Sequence, residues 1–490
     1  MLRILQVGAG PSGASFLRQL TRRLGNSMSK VEYTVVDEML SGGGAAFRTP
    51  CNTHILNLPA SSMSLDPNNA DEFLEWRETY KTIWQENIDS NEEVWSEYPP
   101  RKLYGIYVQY VLNETIRSFR NIRLCRDKVV NIVPMGSDNY IVEFSENKTA
   151  IFDLVILCIG SVPIKPLFDE SVNGFIASPY SEFSVPDNAN VGIIGTRLSA
   201  IDTALKLKET GHRGKITMAS KSGKLPSVIG PPYHYTYKDF KEALAETVNS
   251  PSLVEVFNVF KHEVNNHCFE SFSWDSISKP GPTSLGDLSG ELTIVESGKV
   301  RPWQSILMSS YLTSEEIWRN LPYSERAYFL KNYANIWMRY LAAFPPASAK
   351  RIMNLISTGQ LFIKDGLEYV GVDSSGFNFS YTDRPPDRFD YVIDARGLGY
   401  DEESLTRIPL IRNMLKSNLI ATDELCGLRV DPESFRSLSK ENLDIYILGD
   451  LTKGAFLATT DVARNLDQAD RLSLVISSLV KKISKLDFSS

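Results

Sequence analysis

The chain has 490 residues, enough for two to four domains, and 42% apolar residues, enough for more than one large core. Its formal charge of −7 leaves no excess of Lys and Arg for nucleic-acid phosphates, which excludes that class of partner. The five cysteines (Cys51, Cys125, Cys158, Cys268, Cys426) are odd in number, scattered and without a Cys-x-x-Cys pair, which argues against a disulfide framework, a zinc site and dithiol redox chemistry and predicts a reduced, cytoplasmic chain. No apolar run approaches the length of a membrane span, and the chain opens inside its first strand where a signal peptide would need an apolar h-region, so neither membrane insertion nor export is expected.

An apolar strand over residues 2–7 runs into Gly8-Ala-Gly10-Pro-Ser-Gly13, and a helical pattern over residues 12–24 follows, with Ala14, Leu17, Leu20 and Leu24 on one stripe and Gly25 as its stop. This is the dinucleotide-binding fingerprint in the strand–turn–helix context it requires. Gly8 makes the tight turn, Gly10 lets a pyrophosphate approach the backbone, and Gly13 lets helix and strand pack closely. The helix N-terminus supplies N–H groups and a positive dipole end for the phosphates. A second strand ends on Asp37, an acid placed for a ribose hydroxyl. Residues 41–64 are aperiodic, mix Gly, Pro and polar side chains, and read as a ligand-lining loop. Asn69 to Glu72 read as a capping box opening a helix through Phe73, Leu74 and Trp76, and Tyr98-Pro-Pro-Arg101 starts another. Residues 153–163 form a buried-type strand ending at Gly160 and a turn, and the Pro- and Ser-rich residues 164–187 read as a linker.

A second strand–turn–helix opens at residues 190–195, through Gly195-Thr196-Arg197, with Gly211 as the helix stop. The next strand ends on Ser220 and Lys221, where a cation favours the 2′-phosphate of NADP(H) over NAD. Residues 233–350 read as a helical insertion, with a loop over 271–300 and a second capping box at Thr313 to Glu316. Long helices then carry Trp318, Tyr328, Phe329, Leu330, Tyr333, Trp337 and Leu341, an aromatic stripe that reads as core. Short strands follow at 360–363, 367–370 and 377–381, and residues 391–397 repeat the strand-then-Gly form. Near the end, an apolar strand reaches Gly449-Asp450 before a helix from about Thr459. That Asp can meet a flavin ribityl hydroxyl, and the helix dipole can stabilise anionic charge on the isoalloxazine ring. Asp37 and Asp450 together make the first dinucleotide FAD. The expected fold is α/β with two Rossmann-like dinucleotide-binding domains, the two-dinucleotide-binding flavoprotein fold. Residues 1–185 form the first segment of the FAD-binding domain, 186–399 the NAD(P)-binding-like domain with its helical insertion, and 400–490 the second FAD segment.

With these motifs in place, the chain resembles the bacterial FAD/NAD(P)-binding proteins related to class B flavoprotein monooxygenases, a grouping that includes amino-acid N-hydroxylating enzymes. The resemblance rests on residues 8–13, His54-x-x-Asn57-x-Pro59-x-x-x-Met63-Ser64, Pro100-Arg101-x-x-Tyr104-Gly-x-Tyr107, residues 195–202, Gly211-His-Arg-Gly214 and Leu448-Gly449-Asp450-x-Thr-x-Gly454. It implies that the segment from His54 to Ser64, with Met63, lies beside the flavin ring. It also implies that NADPH reduces FAD, that oxygen adds to give a flavin hydroperoxide, and that a nucleophilic amine takes the distal oxygen. His54 and Asn57 are then the candidates for catalysis, with a structural hydrogen bond from the imidazole as the competing reading of His54. Arg101 and Arg339 are candidates for a substrate carboxylate, with surface or inter-helix ion pairs as the default. No metal-ligand cluster can be read from the five histidines.

One position departs from the family. Where relatives carry Gly-Thr-Gly, this chain has Gly195-Thr196-Arg197, and a Cβ there obstructs close backbone approach. Three outcomes are open: Arg197 pairs with a phosphate, the turn is rebuilt and NADPH weakened, or the nicotinamide site is lost. From the missing glycine alone, Arg197→Gly is expected to strengthen NADPH binding or leave it unchanged. The expected function is an NADPH-dependent FAD monooxygenase acting with molecular oxygen on an amino acid or amine. The alternatives are a flavin reductase or oxidase without oxygen insertion, and a non-catalytic flavin-binding subunit.

Overall fold

The short apolar runs Leu154–Leu157 and Val191–Ile194 are buried at every position, the mark of strands in a parallel sheet covered on both faces. Each lies inside a five-stranded, all-parallel sheet of the computed structural model, which describes residues 1–39, 43–88, 92–136, 139–247, 252–268, 274, 285–439 and 443–486. The chain divides into two compact units. The first comprises residues 1–52, 58–165 and 398–490, and the second residues 53–57 and 166–397. Apart from the short excursion at residues 53–57, the chain changes unit at 165/166 and at 397/398.

In the first unit the strand order is Ile445–Ile447, Leu154–Leu157, Leu2–Val7, Val31–Val36, Ile122–Cys125. Val7 lies opposite both Val36 and Leu157, and Leu157 opposite Ile447. This register brings the turn at Gly8, the acid Asp37 and the Gly449-Asp450 turn to the same carboxyl edge of the sheet, where open α/β sheets bind ligands. The end of the chain completes this unit. Its last helix, Val462–Leu486, packs along the first, Pro11–Leu24, and Arg23 bonds Asp470 (2.6 Å) and Ser473 (2.8 Å) across them. The antiparallel strands Val129–Met135, Asn139–Phe144 and Thr149–Phe152 form a small second sheet.

The second unit repeats the plan. Its parallel order is Leu361–Lys364, Ile216–Ala219, Val191–Ile194, Tyr391–Asp394, Phe175–Ile176, beside the antiparallel strands Leu367–Asp373, Gly376–Tyr381 and Asp387–Phe389. The crossover between Ile216–Ala219 and Leu361–Lys364 holds the helical insertion, which runs from Tyr237–Thr247 to Pro346–Ser357.

Several sequence expectations change. Residues 164–187 are more than a linker, because Phe175–Ile176 pairs with Tyr391–Asp394 as an edge strand. The loop expected over 271–300 contains the helix Leu285–Glu296, whose Leu288 and Leu292 are buried; most of the rest of that loop lies outside the described residues. Neither expected capping box forms. Glu72 pairs with Arg18 through both carboxylate oxygens, at 2.6 and 3.0 Å, and the Thr313 hydroxyl donates back to the Ser309 and Ser310 carbonyls. A capping box does form at Ser252 and Glu255. The long helices expected after Thr313 are three short ones, and their aromatic stripe is only partly core. Trp318 is buried, whereas Tyr328 and Tyr333 are 55% and 44% exposed.

The motif around Tyr104 has a packing role. Tyr107 donates to Glu72 and accepts from the Leu65 amide at 3.0 Å, so it ties the helix Arg101–Arg117 to the segment that follows Met63. Tyr104 meets the Phe47 ring edge-on at 4.7 Å, and a Cβ on Gly105 would sit 2.4 Å from the Phe47 carbonyl oxygen. Replacing a mid-helix Gly with Ala gains up to about 1 kcal/mol of helix propensity. A backbone overlap this close outweighs that, since overpacking costs about 1–3 kcal/mol. Gly105→Ala is therefore expected to lower the denaturant midpoint without changing the slope; an unchanged or raised midpoint would show that the Phe47 segment yields freely.

Candidate functional site

At the first turn, two of the three glycines are required by the protein and one leaves room. A Cβ on Gly8 would lie 2.1 Å from the Cys158 carbonyl oxygen, and one on Gly13 would lie 2.5 Å from the Gly8 carbonyl oxygen. Gly13 lets the helix cross the first strand, and Gly8 lets the turn pass the end of the strand Leu154–Leu157. A Cβ on Gly10 meets nothing nearer than Gly44 Cα at 3.6 Å, and Gly10 has φ −70° and ψ −173°, which any residue can adopt. Its bareness therefore serves space at the helix N-terminus and is not needed for packing. That helix has no side-chain cap, and its first amide protons are left for a ligand.

Buried polar groups brace the turn from behind. Gln6, fully buried, donates from Nε2 to the Gly8 carbonyl at 2.7 Å, and the buried Tyr33 hydroxyl donates to Gln6 Oε1 at 2.7 Å. Desolvation pushes the Tyr33 phenol well up, which keeps it a donor. Asp37 accepts from the Ala9 amide through Oδ2 and from the Met39 amide through Oδ1, both at 2.9 Å. The strand-end acid is thus fixed against the turn itself. Gln6 and Tyr33 were missed because a lone polar residue in an apolar strand has no periodic signature.

The same edge receives Gly449, Asp450 and the start of the last helix. Gly449 has φ +88°, and its amide donates to Gln468 at 3.1 Å. The Asp450 carboxylate is buried and held by the Tyr400 hydroxyl (3.0 and 3.1 Å) and the Thr459 hydroxyl (2.9 Å). Burial, with Asp450 beside it, pushes the Tyr400 phenol well up. A Cβ on Gly449 would lie 3.2 Å from Ser12 Oγ of the first turn and 3.6 Å from Asn465 Oδ1. Asn465 Oδ1 and Asp461 Oδ2 are both buried and lack a hydrogen-bond partner among the described residues. Two acceptors without donors, beside a turn with room at Gly10, fit a ligand that brings hydroxyl and N–H donors, as a flavin with its ribityl chain does.

The second turn has the same backbone with different side chains. Gly195 has φ +127°, and a Cβ there would lie 2.8 Å from the Ala395 carbonyl oxygen. Arg197 occupies the place of Gly10 with φ −100° and ψ −166°, close to the values at Gly10. Ala200 stands where Gly13 does. The arginine has not rebuilt the turn. Its Nη2 donates to the Asn335 carbonyl at 2.5 Å. Lys221, at the end of Ile216–Ala219, is exposed.

Residues 53–57 group with the second unit. The buried His54 imidazole meets the Asp202 carbonyl at 2.9 Å through Nε2, and a carbonyl only accepts, so Nε2 carries the proton. Thr53 donates from its amide and hydroxyl to Glu209 of the same helix, Leu198–Glu209. Asn57 is half-buried in this segment. Met63 belongs to the first unit and is buried, and Arg101 is the first residue of the helix Arg101–Arg117. Residues 41 and 42 of the expected ligand-lining loop lie outside the described residues. Among the described residues, no helix is long and apolar enough to cross a membrane.

Residues 6–162 match the family model described as FAD-NAD(P)-binding, so this stretch is an FAD/NAD(P)-binding domain. Across the whole length the fold is that of two-dinucleotide-binding flavoproteins. The ornithine hydroxylase PvdA of Pseudomonas aeruginosa, in its reduced form, superposes with a TM-score of 0.60 at 13% identity, covering 98% of this chain and 99% of that one. The ornithine N-hydroxylase KtzI of Kutzneria sp. 744, described with reduced FAD, NADP+ and L-ornithine, superposes with a TM-score of 0.57 at 12% identity, covering 98% and 99%. In sequence, the chain is 23% identical over 455 residues to the uncharacterised protein YdhS of Escherichia coli K12, covering 81% of this chain and 83% of that one.

Asp461 gives a test of the orphaned acceptors. Burial pushes its carboxyl up, while its Oδ1 still accepts from the Arg464 amide at 2.9 Å at the helix start. A raised acid is favoured protonated in the folded state. Its contribution to stability is therefore full below the ordinary aspartate range, about 4, and is lost as pH rises through the folded value. Asn keeps the cap without the charge. Flavin-free Asp461→Asn protein is expected to melt at or above the wild-type temperature at pH 7, with the difference shrinking toward pH 4. A lower melting temperature at pH 7 would show that the carboxylate is satisfied.

Proposed function

We propose that the chain is an FAD-dependent, NADPH-consuming monooxygenase that N-hydroxylates a small amine or amino acid. The observation that carries this reading is the first turn: room at Gly10, an uncapped helix N-terminus, and buried acceptors at Asn465 and Asp461 without donors, all at one sheet edge. The likeness over the full chain to hydroxylases of ornithine supports the amine as substrate.

Bound FAD supplies the chemistry, accepting two electrons from a nicotinamide and activating molecular oxygen. The protein's part is to bind, orient and exclude water. In this reading the turn at residues 8–13 holds the pyrophosphate, Asp37 a ribose hydroxyl and Asp450 the ribityl chain, while Met63 contributes apolar surface. His54, its ring set by the Asp202 carbonyl, orients the segment that carries Asn57, and Asn57 offers an amide to cofactor or substrate. Arg101, at a helix start, is the candidate for a substrate carboxylate. Lys221, exposed just past the strand Ile216–Ala219, offers a cation to the 2′-phosphate of NADP(H). A reducing cytoplasm suits five cysteines that stand as thiols outside any disulfide.

Purified protein mixed anaerobically with NADPH is expected to lose its oxidised-flavin absorbance. On admission of oxygen-18 with L-ornithine, L-lysine or cadaverine, label is expected in an N-hydroxylated product. Hydrogen peroxide formed one-for-one with NADPH, with no labelled product across the amines, would make the protein an oxidase. Flavin that NADPH does not bleach would mark a non-catalytic subunit.

A further inference from the structure

Three cations from three segments meet at the second turn. Arg197 begins the helix Leu198–Glu209, Lys224 follows the strand Ile216–Ala219, and Arg339 lies on the insertion helix Ala334–Leu341. Three hydrogen bonds fix their neighbourhood. Thr196 Oγ1 donates to the Lys224 carbonyl at 2.9 Å, Arg339 Nε donates to the adjacent Leu225 carbonyl at 3.2 Å, and Arg197 Nη2 donates to the Asn335 carbonyl, one helical turn from Arg339. All three side chains are half-buried, and none is ion-paired with a carboxylate among the described residues. Burial, and then the charge of Arg339, hold both Arg197 and Lys224 below their ordinary ranges; Asp287 opposes this only at Lys224.

Like charges held half-buried without a counter-ion are unfavourable until an anion joins them. The place of the anion follows from the backbone. Arg197 repeats the conformation of Gly10, and the helix behind it is equally free of a side-chain cap, so the amide protons point as they do at the first turn. We infer that this site takes the pyrophosphate of the nicotinamide dinucleotide through the guanidinium forks of Arg197 and Arg339, assisted by Lys224, in place of contact with a bare glycine backbone. Two planar forks match phosphate oxygens in pairs, which a glycine turn cannot do. Arg339 is thereby a dinucleotide-binding residue rather than the substrate-carboxylate arginine expected from the sequence. The inference rests on the proposed use of a nicotinamide reductant, but not on oxygen insertion.

The test measures binding of NADP+ and of ADP-ribose, which keeps the pyrophosphate and lacks both nicotinamide and 2′-phosphate, to the full-length FAD-loaded protein. Arg197→Ala and Arg339→Ala are each expected to weaken both ligands about tenfold to a hundredfold, the loss of hydrogen bonds to a charged group. Arg197→Lys should recover part of that loss, and FAD content and melting temperature should not move. Arg197→Gly, expected from the missing glycine alone to strengthen binding or leave it unchanged, weakens it here. Affinities within twofold of wild type in both Ala variants would overturn the inference. So would loss of NADP+ binding with ADP-ribose unaffected, because the contact would then be to the 2′-phosphate or the nicotinamide and not to the pyrophosphate. If the variants lose ADP-ribose and the wild type never inserts oxygen, only the proposed reaction fails. If NADPH-driven oxygen insertion persists at wild-type affinity in both variants, only this inference fails.

Discussion

The crossing of the first strand and first helix is the contact on which the FAD-binding unit depends. It exists because a Cβ is missing at Gly13 against the Gly8 carbonyl, and a second missing Cβ, at Gly8 against the Cys158 carbonyl, lets the turn pass the end of the strand Leu154–Leu157. Neither can be replaced without moving backbone. With the crossing closed, the Gly8 amide bonds the Val36 carbonyl at 2.8 Å and the Cys158 amide the Val7 carbonyl at 2.7 Å. The ends of three strands are thereby levelled. Gln6 and Tyr33 lock the turn from inside the sheet, and Asp37 locks it from the edge. The last segment of the chain then lays its strand beside Leu154–Leu157 and its helix beside the first. A ligand site assembled from residues 440 positions apart is possible because the crossing sets one common edge.

The second unit uses the same frame with a different economy of side chains. Gly195 is still required, against the Ala395 carbonyl, but the position of Gly13 tolerates Ala200 and the position of Gly10 carries Arg197. The positions that meet protein backbone and those that do not thus separate. The former hold glycine in both units where the approach is close, whereas the latter is free to vary. An arginine at the variable position changes the means of holding an anion from backbone amides to guanidinium, and it recruits a helix of the insertion 138 residues away as a second source of charge.

Much of this was legible in the sequence. Both glycine turns, the acid at Asp37, the return of the chain at Gly449-Asp450 and the helices of the insertion follow from local pattern, because each turn, strand end or helix is encoded within about 20 contiguous residues. What was not legible depends on contacts across the chain. Glu72 looks like the end of a capping box, yet Arg18 and Tyr107 claim it, and a paired carboxylate no longer serves a helix start. Thr313 looks like a cap but bonds backward into the preceding helix. The helix Leu285–Glu296 was masked by the Ser-, Gly- and Pro-rich residues beside it. The short edge strand Phe175–Ile176 has too few residues to show a period. His54 sits in a pattern that resemblance places beside the flavin, whereas its Nε2 proton is already given to the Asp202 carbonyl. Asp461 carries no motif at all, and its unpartnered oxygen emerges only from burial.

In the proposed reading, the first turn holds FAD in space that the protein itself does not need. The flavin content of Gly10→Val protein, read by absorbance and mass spectrometry beside the wild type, tests it most directly. Valine adopts the backbone conformation at this position, and its Cβ meets no protein atom nearer than 3.6 Å, so the fold is expected to survive. The prediction is wild-type protein purified with stoichiometric FAD, and a Gly10→Val protein with an unchanged far-UV spectrum and no flavin. Stoichiometric FAD in the variant, or a wild type that neither carries nor takes up FAD, would show that the first turn does not hold the cofactor in that space.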